Sequence, residues 1–207
     1  MVKIKFCGMQ RAEDILFASE CRPDYIGYIF APSKRQIPLE KAAELNRLRD
    51  PSIRSVGVFV NETPEKILQA VEQVSLDAIQ LHGEESPSSV ALLKRLLPQT
   101  EIWKALRVKG PDSLLSAREY PADCFLLDSF SRKAYGGTGK KGDWEFLKQY
   151  RHQLPHPFFL AGGLHIENIS EAIEKIEPFG VDISSGIEEN ETKNLKKMRQ
   201  ITEILKR

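Results

Sequence analysis

Short, nearly continuous apolar runs recur along this chain, separated by stretches whose apolar residues follow a helical period. The runs are Val2 to Phe6, Tyr25 to Phe30, Ser55 to Val60, Ala78 to Leu81, Ile102 to Leu106, Cys124 to Leu127, Phe158 to Ala161 and Val181 to Ser184. Runs of this length without alternation are the pattern of parallel strands buried on both faces. Between them, sets such as Ile67, Leu68, Val71 and Val74, or Ala91, Leu92 and Leu96, give one apolar face at helical spacing. Thr63-Pro64 and Ser86-Pro87 place proline in a first helical turn, where its missing N–H costs nothing, and Pro38 opens another helix.

Each strand is thus expected to be returned by a helix. Alternating βα units admit a doubly wound open sheet or a closed barrel. The eight runs favour the barrel, so the fold class read from the pattern is α/β, a single-domain (β/α)8 TIM barrel over residues 1–207. The average unit is only about 26 residues, which predicts short loops and a near-minimal barrel. The longest irregular stretch, Ser129 to Gly142, follows the sixth strand and contains Gly136, Gly137 and Gly139 with Arg132, Lys133, Lys140 and Lys141. It reads either as an active-site lid or as an ordinary flexible insertion.

Composition narrows the function classes. A chain that is 41% apolar and 29% charged with a net charge of +1 suits a globular domain and leaves no positive surplus for nucleic acid. The opening MVKIKFCGM meets polar residues too soon for a signal peptide, and nothing later is long and apolar enough to span a bilayer, so no membrane partner and a cytoplasmic location are expected. Cys7, Cys21 and Cys124 are odd in number and lack metal-ligand spacing, which argues against a disulfide framework and a zinc site. Cys21 and Cys124 read as packing residues.

In such a barrel, chemistry sits where the strands end. The polar residues there are Cys7, Ser33 to Arg35, Asn61, His82, Arg107, Asp128, Gly162-Gly163 and Ser184-Ser185-Gly186, among which no metal-binding set is found. The paired runs after strands seven and eight suggest a phosphate held on backbone N–H groups, with Gly162 and Gly163 allowing close approach and Ser185 adding a hydroxyl. A tight turn alone would also explain two glycines. One thiol, one carboxyl group, one imidazole and one guanidinium suit acid–base chemistry rather than hydrolysis by a serine triad. Cys7 and Asp128 would stand on opposite sides of one pocket, with Lys5 or the phosphate-site dipoles able to lower the thiol pKa; the alternative for Cys7 is a buried strand-end thiol.

Lys5-Phe6-Cys7-Gly8, Ser33-Lys34-Arg35, Val56 to Phe59, Gln80-Leu81-His82-Gly83, Asp128 followed by Gly136-Gly137-Thr138-Gly139-Lys140, Asp143-Trp144, Leu160 to Leu164 and Val181 to Glu188 stand in an order and spacing that resemble the phosphoribosylanthranilate isomerases over nearly the whole chain. The resemblance implies an Amadori rearrangement of N-(5'-phosphoribosyl)anthranilate in tryptophan biosynthesis, with no cofactor. It implies that Cys7 is the general base, Asp128 the general acid and Arg35 the partner of the anthranilate carboxylate. For His82 a pocket role and a structural role both stand, and Asp182 would either orient the ribose hydroxyls or serve barrel packing. The implied phosphate ligands are Gly162, Gly163, Ser184 and Ser185.

The chain departs from the family's usual pattern at Met9-Gln10, at Gly142 and at Lys193-Asn194, positions expected not to touch the acid or base. Rival readings are a histidine-pathway isomerase, an indole-glycerol-phosphate synthase and a barrel that binds sugar phosphates without turnover. By resemblance, the first would carry an aspartate and the second a lysine where Cys7 stands. The oligomeric state is left open as monomer or homodimer.

Overall fold

The structure, a computed structural model, describes residues 1–108, 110, 114–128 and 144–206. The stretch read as a lid, with Asp143 after it, lies outside the described residues. Eight parallel strands close into a barrel: β1 (Lys3–Cys7), β2 (Tyr25–Ile29), β3 (Arg54–Phe59), β4 (Ala78–Leu81), β5 (Glu101–Arg107), β6 (Cys124–Asp128), β7 (Phe158–Ala161) and β8 (Gly180–Ile183). β1 pairs with β8 in the register Lys5 to Asp182, which shuts the cylinder.

Helices α1 (Ala12–Cys21), α2 (Leu39–Arg47), α3 (Pro64–Val74), α4 (Pro87–Leu96), α5 (Trp144–Gln149), α6 (Ile169–Ile176) and α7 (Leu195–Leu205) cover the outside. The caps expected from sequence form: Thr63 accepts from the Lys66 N–H at 3.5 Å and Ser86 from the Ser89 N–H at 3.2 Å. Pro38 sits at the N-cap of α2, one residue earlier than a first-turn proline.

Between β5 and β6 the described residues include Leu114 and Leu115 in α-helical conformation, followed by a 3₁₀ turn, Ser116–Glu119. Leu114 and Ala117, three residues apart, are both buried on one face of this segment. Tyr120 is extended, as the residue before Pro121 is pushed to be.

Successive strand side chains alternate between the helices and the barrel interior. The outward set packs with the helices into one large core that includes Ile4, Phe6, Ile15, Ile67, Val90, Ile169 and Ile201. The inward set forms a separate cluster of Tyr25, Val56, Ala78, Trp103, Ala105, Cys124, Leu126, Phe159 and Ala161. Its floor is aromatic, with Trp103 stacked on Phe159 at 4.7 Å between centroids and the Tyr25 edge meeting Trp103 at 4.9 Å. Cys124 packs here and Cys21 under α7, with thiols that burial pushes up to about 12 and about 11, so both are inert packing groups. No helix among the described residues is long and apolar enough to cross a membrane.

Candidate active site

The period of two that buries the aromatic floor also decides which polar side chains reach the pocket. Cys7 and Lys5 share one face of β1; His82 lies two residues beyond Gln80, and Ser184 two beyond Asp182. Lys5 is completely buried. Its ammonium lies 2.7 Å from Gln80 Oε1, 3.2 Å from Asp182 Oδ1 and 3.6 Å from Cys7 Sγ. The Gln80 amide nitrogen is 2.8 Å from His82 Nδ1, and His82 Nε2 is 3.6 Å from Asp128 Oδ2. A contiguous polar line therefore runs from Cys7 through Lys5, Gln80 and His82 to Asp128.

Gly27 makes room for its first member. A Cβ at that position would lie 2.7 Å from Cys7 Sγ and 3.3 Å from Lys5 Cε, so only glycine leaves both side chains in place. Burial pushes the Cys7 thiol above its ordinary value, with Lys5 and Lys193 pulling it down only in part. The sequence reading allowed Lys5 to lower that pKa; Lys5 does stand there, but burial outweighs it. Burial alone would lower the Lys5 pKa, yet Asp182 and Cys7 raise it overall, so Lys5 is charged. Asp182 Oδ1 is buried and ion-paired with Lys5, and it takes part in no further hydrogen bond among the described residues. That is an acceptor able to take a ligand hydroxyl.

A second charged group flanks Cys7. Arg35 is bonded side-on to Glu188, Nε to Oε1 and Nη2 to Oε2, both at 2.7 Å. Gly8, at φ +83°, gives that side chain its space, since a Cβ there would stand 2.6 Å from Arg35 Cδ. Glu188 also accepts from Lys193 Nζ at 2.6 Å, and Lys193 in turn donates to the Cys7 carbonyl at 2.6 Å. Glu188 and Lys193 lie on a small hairpin after β8, strands β9 (Glu188–Glu189) and β10 (Thr192–Lys193). Burial works to raise the Glu188 pKa, but Arg35 and Lys193 hold it below its ordinary value; burial lowers that of Lys193.

This corrects one expectation. The Lys193-Asn194 pair does touch the candidate base, through the Lys193 bond to the Cys7 carbonyl. Asn194 itself caps α7, accepting from the Lys197 N–H at 3.1 Å. Met9 is fully buried, and Gly142 lies outside the described residues.

The loops after β7 and β8 lie against each other. Gly162 and Gly163 have φ of 93° and 66°, and Gly186 is packed so closely that a Cβ would fall 1.9 Å from the Leu164 carbonyl oxygen. Asn168 staples the first loop, donating to the Gly163 carbonyl at 3.0 Å and accepting from the His165 N–H at 2.8 Å. The Ser184 hydroxyl donates to the Cys7 carbonyl at 3.0 Å, which ties this region to β1.

Asn61 serves structure: its Oδ1 accepts the Glu84 N–H at 2.7 Å and clasps neighbouring loops. Arg107 lies 3.8 Å from Glu84. Among the described residues no three His, Cys, Asp or Glu converge as a metal site requires. Sequence reasoning assigned no role to Gln80, Glu188 or Lys193. Counting back two residues from His82 would have found Gln80; nothing in the spacing marks Glu188, which arrives on a hairpin beyond the last strand.

A closed barrel whose strand ends gather a thiol, a carboxyl group, a buried ammonium and two glycine-lined loops places the protein in the (β/α)8 class, with a polar pocket at the carboxyl ends of its strands. The sequence profile of the family described as N-(5'phosphoribosyl)anthranilate (PRA) isomerase matches residues 4–204. An N-(5'-phosphoribosyl)anthranilate isomerase of Caldanaerobacter subterraneus is 42% identical over 203 residues, 98% of this chain and 97% of that one. Among solved structures, the phosphoribosyl anthranilate isomerase of Thermotoga maritima superposes with a TM-score of 0.87 at 38% identity, covering 100% of this chain and 99% of that one. A phosphoribosyl anthranilate isomerase in complex with reduced 1-(o-carboxyphenylamino)-1-deoxyribulose 5-phosphate superposes with a TM-score of 0.83 at 36% identity over 100% of this chain and 99% of the other. The chain belongs to the N-(5'-phosphoribosyl)anthranilate isomerase family and is an aldose–ketose isomerase of tryptophan biosynthesis.

Proposed function

We propose that the protein converts N-(5'-phosphoribosyl)anthranilate to 1-(2-carboxyphenylamino)-1-deoxyribulose 5-phosphate, with Asp128 as general acid and Cys7 as general base. The observation that carries this reading is the polar line joining the two groups across the barrel mouth. Asp128 gives its proton to the furanose ring oxygen as the C1–O bond breaks and the nitrogen lone pair closes a protonated Schiff base. Cys7, once its thiol has given up its proton to solvent with Lys5 beside it, then takes the C2 proton as a thiolate, and the electrons form the C1–C2 double bond while the C–N π pair returns to nitrogen. The resulting enolamine gains a proton at C1 and loses one from the C2 hydroxyl to become the ketone. The substrate nitrogen serves as the electron sink, so the chain's own residues need only move protons. A thiolate formed against burial is a strong proton acceptor, which suits abstraction from carbon.

Arg35 would receive the anthranilate carboxylate on the end of the guanidinium away from Glu188, which already holds the Nε and Nη2 edge. Gly162, Gly163, Ser184 and Ser185 would hold the phosphate, and the Asp182 carboxylate, ion-paired with Lys5, would accept a ribose hydroxyl. His82, beside Asp128, belongs to the acid's side of the pocket.

The test is a fluorescence progress curve with freshly generated phosphoribosylanthranilate. Cys7→Ser and Asp128→Asn should each lose about 10²- to 10⁴-fold in turnover with unchanged folding. Near-parental turnover in either variant would remove that residue's role, and a folded parent with no activity above the buffer rate would remove the function itself.

A further inference from the structure

Gln80 contributes nothing to the proposed proton transfers, yet it is buried at the centre of the polar line. We infer that Gln80 is a positioning residue: its amide, oriented by the Lys5 ammonium, fixes the neutral His82 ring as the Nε2–H tautomer and presents that proton toward Asp128. The inference rests on the reading of Asp128 as the acid.

The argument follows from donor and acceptor chemistry. An ammonium has three donors and no acceptor, so the Gln80 atom 2.7 Å from Lys5 Nζ must be the carbonyl oxygen. Lys5 is charged and fully buried, which removes the usual ambiguity of an amide flip. The amide nitrogen then points to His82 Nδ1 at 2.8 Å. That nitrogen can only donate, so Nδ1 must accept and carries no hydrogen. The proton of the neutral ring therefore sits on Nε2, the nitrogen 3.6 Å from Asp128 Oδ2. At that separation the pair is not yet hydrogen-bonded, and a shift of well under 1 Å, or one bridging water, would complete the contact. Lys5 lies also 3.6 Å from Cys7 Sγ, so one buried cation is shared by the base and by the group that orients the acid's neighbour.

The experiment combines ¹⁵N NMR of the histidine side chains with steady-state kinetics on the full chain. The His82 signals are assigned by their loss in His82→Gln. The parent should show Nε2 protonated and Nδ1 bare. Gln80→Glu keeps length and shape but offers His82 only acceptors, so Nδ1 should gain the proton; kcat should fall by on the order of 10- to 100-fold with KM changed no more than about twofold. Gln80→Met, which offers His82 neither donor nor acceptor, should give a mixture of tautomers and an intermediate kcat. A parent with Nδ1 protonated, or a Gln80→Glu protein with an unchanged His82 tautomer, would overturn the inference. So would a tautomer change without any loss of kcat. The NMR readout is independent of turnover, so Asp128→Asn retaining activity would sink the acid assignment while the tautomer result still judged Gln80.

Discussion

The floor and the mouth of this barrel are built from the same strands and even the same faces of those strands, but they are filled on opposite principles. At the floor, Tyr25, Trp103 and Phe159 interlock with almost no polar atoms left to satisfy. Two to four residues further along the same faces stand Gly27, Arg107 and Ala161, and the interior becomes a network of charges. The floor gains from burial, which is non-directional and tolerates few gaps. The mouth holds Lys5, Asp182, Glu188 and Lys193 in little or no contact with water, which is costly unless each finds a partner. Stability and chemistry are thus separated along the strand axis by a few residues.

The separation can be broken at either end. The largest effect on stability is expected at the floor: Phe159→Ala leaves a cavity beneath Trp103 and should cost about 3–5 kcal/mol in a urea titration. Below its unfolding transition it should keep nearly parental kcat/KM, and a large catalytic loss there would show that floor and mouth are coupled.

Next comes Glu188→Gln, which leaves Arg35 and the buried Lys193 without a carboxylate and should cost about 3 kcal/mol near neutrality. Its pH dependence has a definite sign. Glu188 has a folded-state pKa below the ordinary 4.5, so its stabilisation is complete above that value and is lost as pH falls through the lower folded value. The gap between parent and variant, followed by chemical denaturation, should therefore be widest above pH 4.5 and close below it. A constant gap across that range would mean that shape rather than charge holds the hairpin.

The smallest expected change is Gly27→Ala, which forces a methyl group against Cys7 Sγ and Lys5 Cε and should cost about 1–3 kcal/mol. Its sharper readout is the ultraviolet absorbance of the Cys7 thiolate, with Cys7→Ser as the blank. Moving Sγ away from Lys5 removes a group that lowers the thiol pKa, so the titration should move to higher pH than in the parent. An unmoved titration would show that Lys5 matters little to the thiol.

Much of the fold is legible from the chain because parallel strands buried on both faces must be apolar throughout and short, and each must be followed by a helix. Ala78–Leu81 and Phe158–Ala161 fall where the apolar runs place them, and the other strands differ only at their ends. After β5 the 3₁₀ turn Ser116–Glu119 that follows Leu114 and Leu115 is not legible in the sequence, because Leu114 and Ala117 satisfy a 3₁₀ period as well as a helical one. Cys7, His82 and Asp128 stand out as candidates in the sequence because they end strands, and the structure brings them to one polar line. Gln80 was given no role, because a glutamine inside an apolar run shows no chemistry of its own, and its place two residues before His82 on the same strand face is the one signal it left.

By itself, the sequence determined the alternation of strands and helices, the strand ends at which chemistry sits and the motifs that mark the family. These are local properties, set by the period of the apolar residues and by the conformational limits of glycine and proline. Only the tertiary structure decided that Lys5 faces Gln80 and Asp182, that Glu188, paired with Lys193 on their hairpin, reaches across to hold Arg35, and that burial outweighs Lys5 at the Cys7 thiol. Most of these contacts join groups far apart in the chain, and all of them depend on distance and on the exclusion of water, which come into being only when the barrel closes.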